Sequence, residues 1–582
     1  MKYTAKILAL LLAILMLFAS CDVLGVSNET EGTNEVTTGT FTESPTESET
    51  FTDDTEESES EEVTEEETLD PYRASISRSR EEIESMITLA DGEFDAAREK
   101  LKEFESMGLV SEDYEAVDAV YLEFEDMFYY LDTQISLANI VYDLDRSNKD
   151  ASSRYLDNYE LFGDLYTEYM ITCRKLYLES PISEQLFADW TEDDIKYLLS
   201  YTPEIQELRQ ENEQLLVEYN ELSRAAVITK GGQIYAQIVA NNNRIAELSG
   251  YDNYYAYATK EIYGRDYTVE EIDAFKGYIK SHLLPLLDGL YLDWNGQYSS
   301  LGASDRYFMS DFLSDPFDSF TKNYLEGYVN SYDNSTGEGF KHLFENRNMI
   351  FSNSENSHNS AYQTYLEDFE MPFCLFGSNG QSTSTIVHEM GHYYASLYSP
   401  DVSSYDIAET QSQANEFLFL IYAKDEMKED PYNALESYNL YNTVAMIIIC
   451  AIIDDFEQRV YSLDSVDGYA YNDFKAIMDE VCEEYGGTTY INTKITNIQS
   501  YWTMVCPNSP VYYISYATSS IASVSIYAIA KEDEAAAREV YRKLIEEIDE
   551  DDGFKEALNK IGLIDPFNEE AFNKLDQTVF ND

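Results

Sequence analysis

Apolar residues recur at intervals of three and four over most of the chain, the spacing that lines one face of an α-helix. The pattern predicts helices over about 76–107, 112–147 and 150–178. Another opens at Thr202-Pro203, where threonine can cap and proline suits the first turn, and runs to about Ala226. Gly231-Gly232 is expected to break it, with a further helix from Gln233 to Leu248. Thr443–Ile453 is apolar on every side but only 11 residues long. A bilayer span needs about 20 residues, so this segment reads as a buried core helix. Met349–Phe351 and Met371–Phe376 look extended instead, and Gly377, Asn379 and Gly380 follow the second. The two are expected to form a small sheet.

The N-terminus carries a different pattern. Lys2 and Lys6 precede an apolar run, Ile7–Phe18, and then Ala19-Ser20-Cys21. A basic region, a short apolar region and small residues make the layout of a secretory signal. Leu17–Cys21 resembles a bacterial lipobox, with Phe18 where leucine is usual. Residues 1–21 therefore read as a lipoprotein-type signal peptide, with Cys21 the lipidated first residue of an exported protein anchored outside the cytoplasm. Residues 22–70 hold 18 acids, no Lys or Arg, and many Ser and Thr. Such a segment buries too little apolar surface to offset its ordering entropy, so it is expected to be a disordered acidic tether.

Composition limits the rest. The 582 residues include 50 Tyr and are 44% apolar, enough for a large core, while 25 Gly and 12 Pro favour long helices over an all-β fold. Beyond residue 70 there are 93 acids against 36 bases, a charge of −57. That excludes nucleic acid as a partner, since binding it needs a clustered cationic face. The cysteines after Cys21 show no C-x-x-C spacing and are expected to be buried thiols. Asp549–Gly553 lacks the full calcium-loop pattern and reads as a solvated loop. His282, His342 and His358 stand alone.

One motif carries chemistry: His388-Glu389-Met390-Gly391-His392. On a helix the two histidines share a face and can reach one metal, while Glu389 lies one residue round, facing a water on it. Zinc lowers the pKa of that water and polarises a carbonyl; the carboxylate takes the proton and passes it to the leaving amine. Two of the chain's 5 His fall here, with uncharged flanks at Ser384–Val387 and Tyr393-Tyr394. A hydrolytic site needs a third protein ligand and an open position. No His follows His392, so the third ligand must be a carboxylate or a Cys. After a turn at Ser399-Pro400-Asp401, a new helix from Asp406 to Glu416 would return Glu409 to the metal, with Asp406 and Glu416 as alternatives.

The motif followed by Glu409-x-x-Ser412-x-x-Asn415-Glu416 resembles the oligoendopeptidase F branch of the thimet oligopeptidase-like zinc metallopeptidases. The resemblance begins at Arg244–Tyr254, continues through Ser360-Ala361-Tyr362 and Pro372-Phe373, and ends in Pro510–Thr518, so it spans roughly residues 200–582. It implies a mostly α fold of two helical halves enclosing a deep substrate channel, with a small β-sheet beside the active-site helix. It makes Glu409 the third ligand of a single zinc ion (Zn2+) beside His388 and His392, and Glu389 the general base. It implies that Tyr513 and Tyr516 donate hydrogen bonds to the tetrahedral oxyanion, with Tyr512 a further candidate on the substrate. Substrate would lie extended beside Phe373–Phe376, main chain to main chain. The chain departs from the family in one catalytic feature: Met504-Val505-Cys506-Pro507-Asn508 holds no His where the family has one before the tyrosine segment.

Residues 71–200 thus read as an N-terminal helical region and 201–582 as the catalytic region. The protein reads as a monomeric zinc metalloendopeptidase that hydrolyses short unfolded oligopeptides by attack of a zinc-bound water, touching a membrane only through its lipid anchor. The rival is a catalytically impaired peptide-binding lipoprotein on the same scaffold. The absent histidine motivates it; retention of Glu389 argues against it.

Overall fold

Helices make up most of the computed structural model, which describes residues 69–580 except 221, 314–315, 320, 400–403, 496–497 and 550–551. The signal peptide, Cys21 and nearly all of the tether lie outside the described residues. In chain order the long N-terminal helices are α1 (Glu93–Gly108), α2 (Tyr114–Leu144) and α3 (Lys149–Glu179), followed by α4 (Pro203–Asn220) and α5 (Gly232–Leu248).

Two helical expectations needed correction. The stretch expected as one helix over 76–107 is interrupted. Ser79 and Glu82 form a capping box that starts a short helix, Arg80–Met86, and α1 begins only after Gly92, whose φ of 91° is left-handed. Further on, α4 ends at Asn220, and Ser223 caps a new turn by accepting from the Ala226 amide. From there the chain stays helical through Gly231-Gly232 into α5, so the glycines do not break it. They serve close packing instead: a Cβ on Gly232 would lie 2.1 Å from the Tyr471 amide nitrogen.

Residues from Phe94 to Tyr201 share a core of their own, rich in stacked Phe and Tyr. The larger core gathers Ile76 and side chains from Tyr235 to Val579. Between them stands a three-stranded sheet in the order β1-β3-β2, with β1 (Met349–Phe351) parallel and β2 (Ala361–Leu366) antiparallel to β3 (Met371–Phe376). Strand alternation explains its two-sided role. Phe373 and Leu375 pack with Leu137, Ile140 and Val141 of α2, while Cys374 and Phe376 face the larger core. Polar contacts fasten α2 to the same wall: Tyr362 Oη donates to Asp143 at 3.0 Å, and Ser352 Oγ to the Leu144 carbonyl at 2.7 Å.

Behind the sheet lie α6 (Thr383–Ser396), α7 (Tyr405–Glu426), α8 (Glu429–Tyr461) and, after shorter helices, α9 (Ile514–Glu532). By length and composition α8 could cross a membrane. Its apolar stretch is consumed within the protein, since Val444, Ala445 and every residue from Ile447 to Ile453 are buried. The five cysteines after Cys21 are free and buried.

Charge is also buried behind α8. Lys276 is 2% exposed and reaches Asp454 and Asp455 at 2.8 Å each, and Gln458 at 2.9 Å. Tyr255 and Tyr485 donate to the same two carboxylates. Burial alone would raise the Asp455 carboxyl, but Lys276 and Lys280 outweigh it and hold it below the usual range. Its contribution to stability is therefore full at neutral pH and lost as pH falls below about 4. Replacing Lys276 with Met strands the buried Asp454 carboxylate, while Asp455 keeps Lys280 at 3.0 Å, so chemical denaturation at neutral pH should show a loss of about 3–5 kcal/mol.

Candidate active site

α6 starts where the Ser382 side chain accepts from the Thr385 amide. One face of α6 presents His388 and His392 with ring centroids 5.0 Å apart and planes at 74°. Their Nε2 atoms face one oxygen of Glu409 on α7, at 3.7 and 3.9 Å. The three donor atoms lie within 4.8 Å of one another. Two imidazoles and a carboxylate converging in this way fit one small divalent cation with room for a further ligand.

The crossing of α6 and α7 explains the rest of the motif. A Cβ on Gly391 would lie 2.6 Å from Ser412 Cα and 2.7 Å from the Gln411 carbonyl oxygen, so only glycine permits the approach. Ser412, at the contact, hydrogen-bonds the Glu409 carbonyl at 3.0 Å. One turn on, Asn415 Nδ2 donates to the Val387 carbonyl at 2.6 Å and ties α7 to α6, and Tyr328 Oη holds the Asn415 oxygen. Glu416 then reaches His388 Nδ1 at 2.6 Å. A carboxylate on the far nitrogen of a ligand histidine fixes its tautomer and raises its basicity. Glu416, weighed from sequence as a third ligand, is thus an orienting group. Asp406, the other alternative, is buried and bound to Tyr267 and Thr518.

Glu389 is 2% exposed and its Oε2 has no hydrogen-bond partner. Burial pushes its carboxyl up to about 7; Glu409 and Glu416 add to this and His388 opposes it. Burial also holds His392 well below its ordinary range, in the neutral form that binds metal. A buried carboxylate with an unsatisfied oxygen, beside a metal-fitting triad, is the arrangement a proton carrier needs.

The tyrosine segment comes to the same place. Tyr512 Oη donates to Glu409 Oε1 at 3.0 Å, so Glu409 turns one oxygen to Tyr512 and the other to the histidines. Tyr512, expected on the substrate, instead holds the carboxylate that faces the two histidines. Tyr513 and Tyr516 join its ring in an edge-to-face cluster, with centroids 5.2–6.1 Å apart. Small residues let α9 lie close to α7, where Ser520 Oγ donates to Gln413 at 2.9 Å and Ser523 Oγ to the Thr410 carbonyl at 3.3 Å.

Phe373 and Phe376 are not placed to touch substrate. Both are fully buried, Phe376 stacked on Phe351 at 4.8 Å. β3 is also the middle strand, so its main chain is taken on both sides from Cys374 to Phe376. The edge strand against α6 is β2, whose Gln363 meets Ser396 Oγ at 3.1 Å. Cys506 is buried in the larger core. His282 pairs with Asp576, His342 with Tyr393, and buried His358 with the Ser360 main chain.

No protein-family model matches the chain, and no curated protein matches it in sequence. Solved structures do match. One provisionally named oligoendopeptidase F is 17% identical with a TM-score of 0.65, over 83% of this chain and 95% of that one. PZ peptidase A in complex with an inhibitor is 17% identical with a TM-score of 0.64, over 87% and 97%. A provisionally named oligoendopeptidase F from Bacillus anthracis str. Ames is 17% identical with a TM-score of 0.61, over 86% and 95%. The chain has the fold of these peptidases.

Two substitutions test the geometry. Glu416→Ala should leave the fold intact and weaken divalent-metal binding about 10–100-fold in a metal-buffered titration. Gly391→Ala should force the backbones apart, lowering stability by about 1–3 kcal/mol and metal affinity with it.

Proposed function

We propose that this chain is a zinc-dependent endopeptidase acting on short unfolded peptides. The observation that carries the reading is Glu389, buried and with an unsatisfied oxygen, beside the His388, His392 and Glu409 donors. Zinc in that triad supplies Lewis acidity, lowering the pKa of water and polarising a carbonyl.

The protein's own groups do the rest. Glu389 takes a proton from water as the water's oxygen bonds to the peptide carbonyl carbon. It then delivers a proton to the amide nitrogen as the C–N bond breaks. Glu416 keeps His388 in its binding tautomer, and Tyr512 keeps one Glu409 oxygen turned inward. Tyr513 and Tyr516 are the candidate donors to the oxyanion. Substrate main chain would add to the open side of β2, an interaction that reads peptide backbone and leaves side-chain choice to neighbouring pockets. The names of the neighbours in fold support peptides as the substrate class. Residues 1–21 support export with Cys21 lipidated, the tether holding the body off the membrane.

Residues 69–582 and the Glu389→Gln variant should bind zinc equally. On quenched fluorescent peptides about 5–15 residues long, the wild type should cleave and lose activity to a chelator, and the variant should fall by at least about a hundredfold. Zinc-loaded proteins that are both inert across the pool would instead mark a peptide-binding protein, and absence of zinc from both would remove the metallopeptidase reading.

A further inference from the structure

Val511 has a φ of 64°, in the left-handed region that a β-branched side chain resists. It directly precedes Tyr512, whose hydroxyl sits on Glu409. Both polar groups of Val511 are gripped from other parts of the fold. Its amide donates to Glu457 Oε1 on α8 at 2.9 Å. Its carbonyl accepts from Arg265 at 2.8 Å, and the same guanidinium nitrogen reaches the Tyr512 carbonyl at 3.3 Å and Ser515 Oγ at 2.9 Å. Tyr263 Oη holds the preceding carbonyl, that of Pro510, at 2.7 Å, and its ring lies 4.5 Å beneath the guanidinium. Arg265 and Glu457 are themselves buried. Ser515 continues the linkage to Asp406, one turn before Glu409 on α7.

We propose that Arg265 and Glu457 are positioning residues for the metal centre: by gripping Val511 at its carbonyl and its amide, they hold the turn that keeps Tyr512 on Glu409. Released from the grip, Val511 relaxes toward negative φ, which redirects the residue after it and withdraws the phenol. Glu409 then rotates, and the oxygen shared by His388 and His392 is no longer fixed. Neither residue touches metal or substrate; both act through Tyr512. The inference rests on the zinc-site reading and predicts something separate from turnover.

The test reads metal affinity and ligand geometry. Zinc affinity is measured by competition with a chromophoric chelator, and geometry by the visible absorption of the cobalt(II) protein. Glu457→Met removes the acceptor while keeping the volume. Glu457→Gln keeps an oxygen for the Val511 amide and should stay within about threefold of wild type in zinc affinity. Glu457→Met and Tyr512→Phe should each weaken zinc binding about tenfold or more and change the cobalt spectrum alike. The double variant should be no weaker than Tyr512→Phe alone, because the two act through one contact. Should Glu457→Met not fold, Arg265→Met, which removes the one nitrogen that reaches Val511, Tyr512 and Ser515, is read against Tyr512→Phe in the same way. Additive losses, or wild-type affinity and spectrum in a folded grip variant, overturn the proposal while leaving the zinc site standing. A wild-type protein that binds neither metal overturns the zinc-site reading itself.

Discussion

The contact of α6 with α7 at Gly391 and Ser412 is the constraint from which the site follows. Each helix alone carries an incomplete set: two imidazoles on one, a carboxylate on the other. They become a triad only because the backbones meet where neither has a side chain in the way. The same approach brings Asn415 within reach of a backbone carbonyl and Glu416 within reach of His388. A single spacing, glutamate then serine, asparagine and glutamate at helical intervals, thus supplies a donor carboxylate, a close contact, a tie and a partner for His388 Nδ1.

What the sequence reveals of this depends on how local the physics is. The shared face of His388 and His392 follows from helical periodicity, and the buried character of Thr443–Ile453 from its being apolar on every side. The role of Glu409 does not follow from spacing, because Asp406, Glu409 and Glu416 all lie on one predicted helix. Only the resemblance of the segment singled one out, and only the packing assigned the other two. Tyr512 was legible as part of the site but not in its role, which depends on a bond across 103 positions of sequence. The position of β3 was beyond local reasoning too. A run such as Met371–Phe376 reads as a buried strand whether it sits in the middle or at the edge, and the third strand, over Ala361–Leu366, decides which. The glycines at 231 and 232 mislead for a related reason: a glycine that permits contact looks, in sequence, like one that ends a helix.

Electrostatics sets a second level of organisation. The body has far fewer bases than acids, yet Arg265 and Lys276 are buried instead of serving solubility. Buried ion pairs contribute little net stability against apolar packing, but losing one partner is costly, so they select one arrangement strongly over others. Lys276 joins its helix to α8 through Asp454 and Asp455. Arg265 joins the turn before α9 to α7 through Ser515 and Asp406. The two clusters brace α7, α8 and α9, the elements that bring Glu409 and the tyrosine segment together.

That bracing bears on the histidine missing near Cys506. The place is not an empty version of a catalytic position. Cys506 is buried, its thiol pushed far up by burial and by Glu457, the residue that grips Val511. An imidazole there would have to be accommodated next to that carboxylate, inside packing that holds the tyrosine turn. The segment thus packs against the carboxylate that holds the Val511 amide. Of the residues named from sequence, Tyr513 and Tyr516, packed against Tyr512, are the phenols the fold brings beside the donor triad.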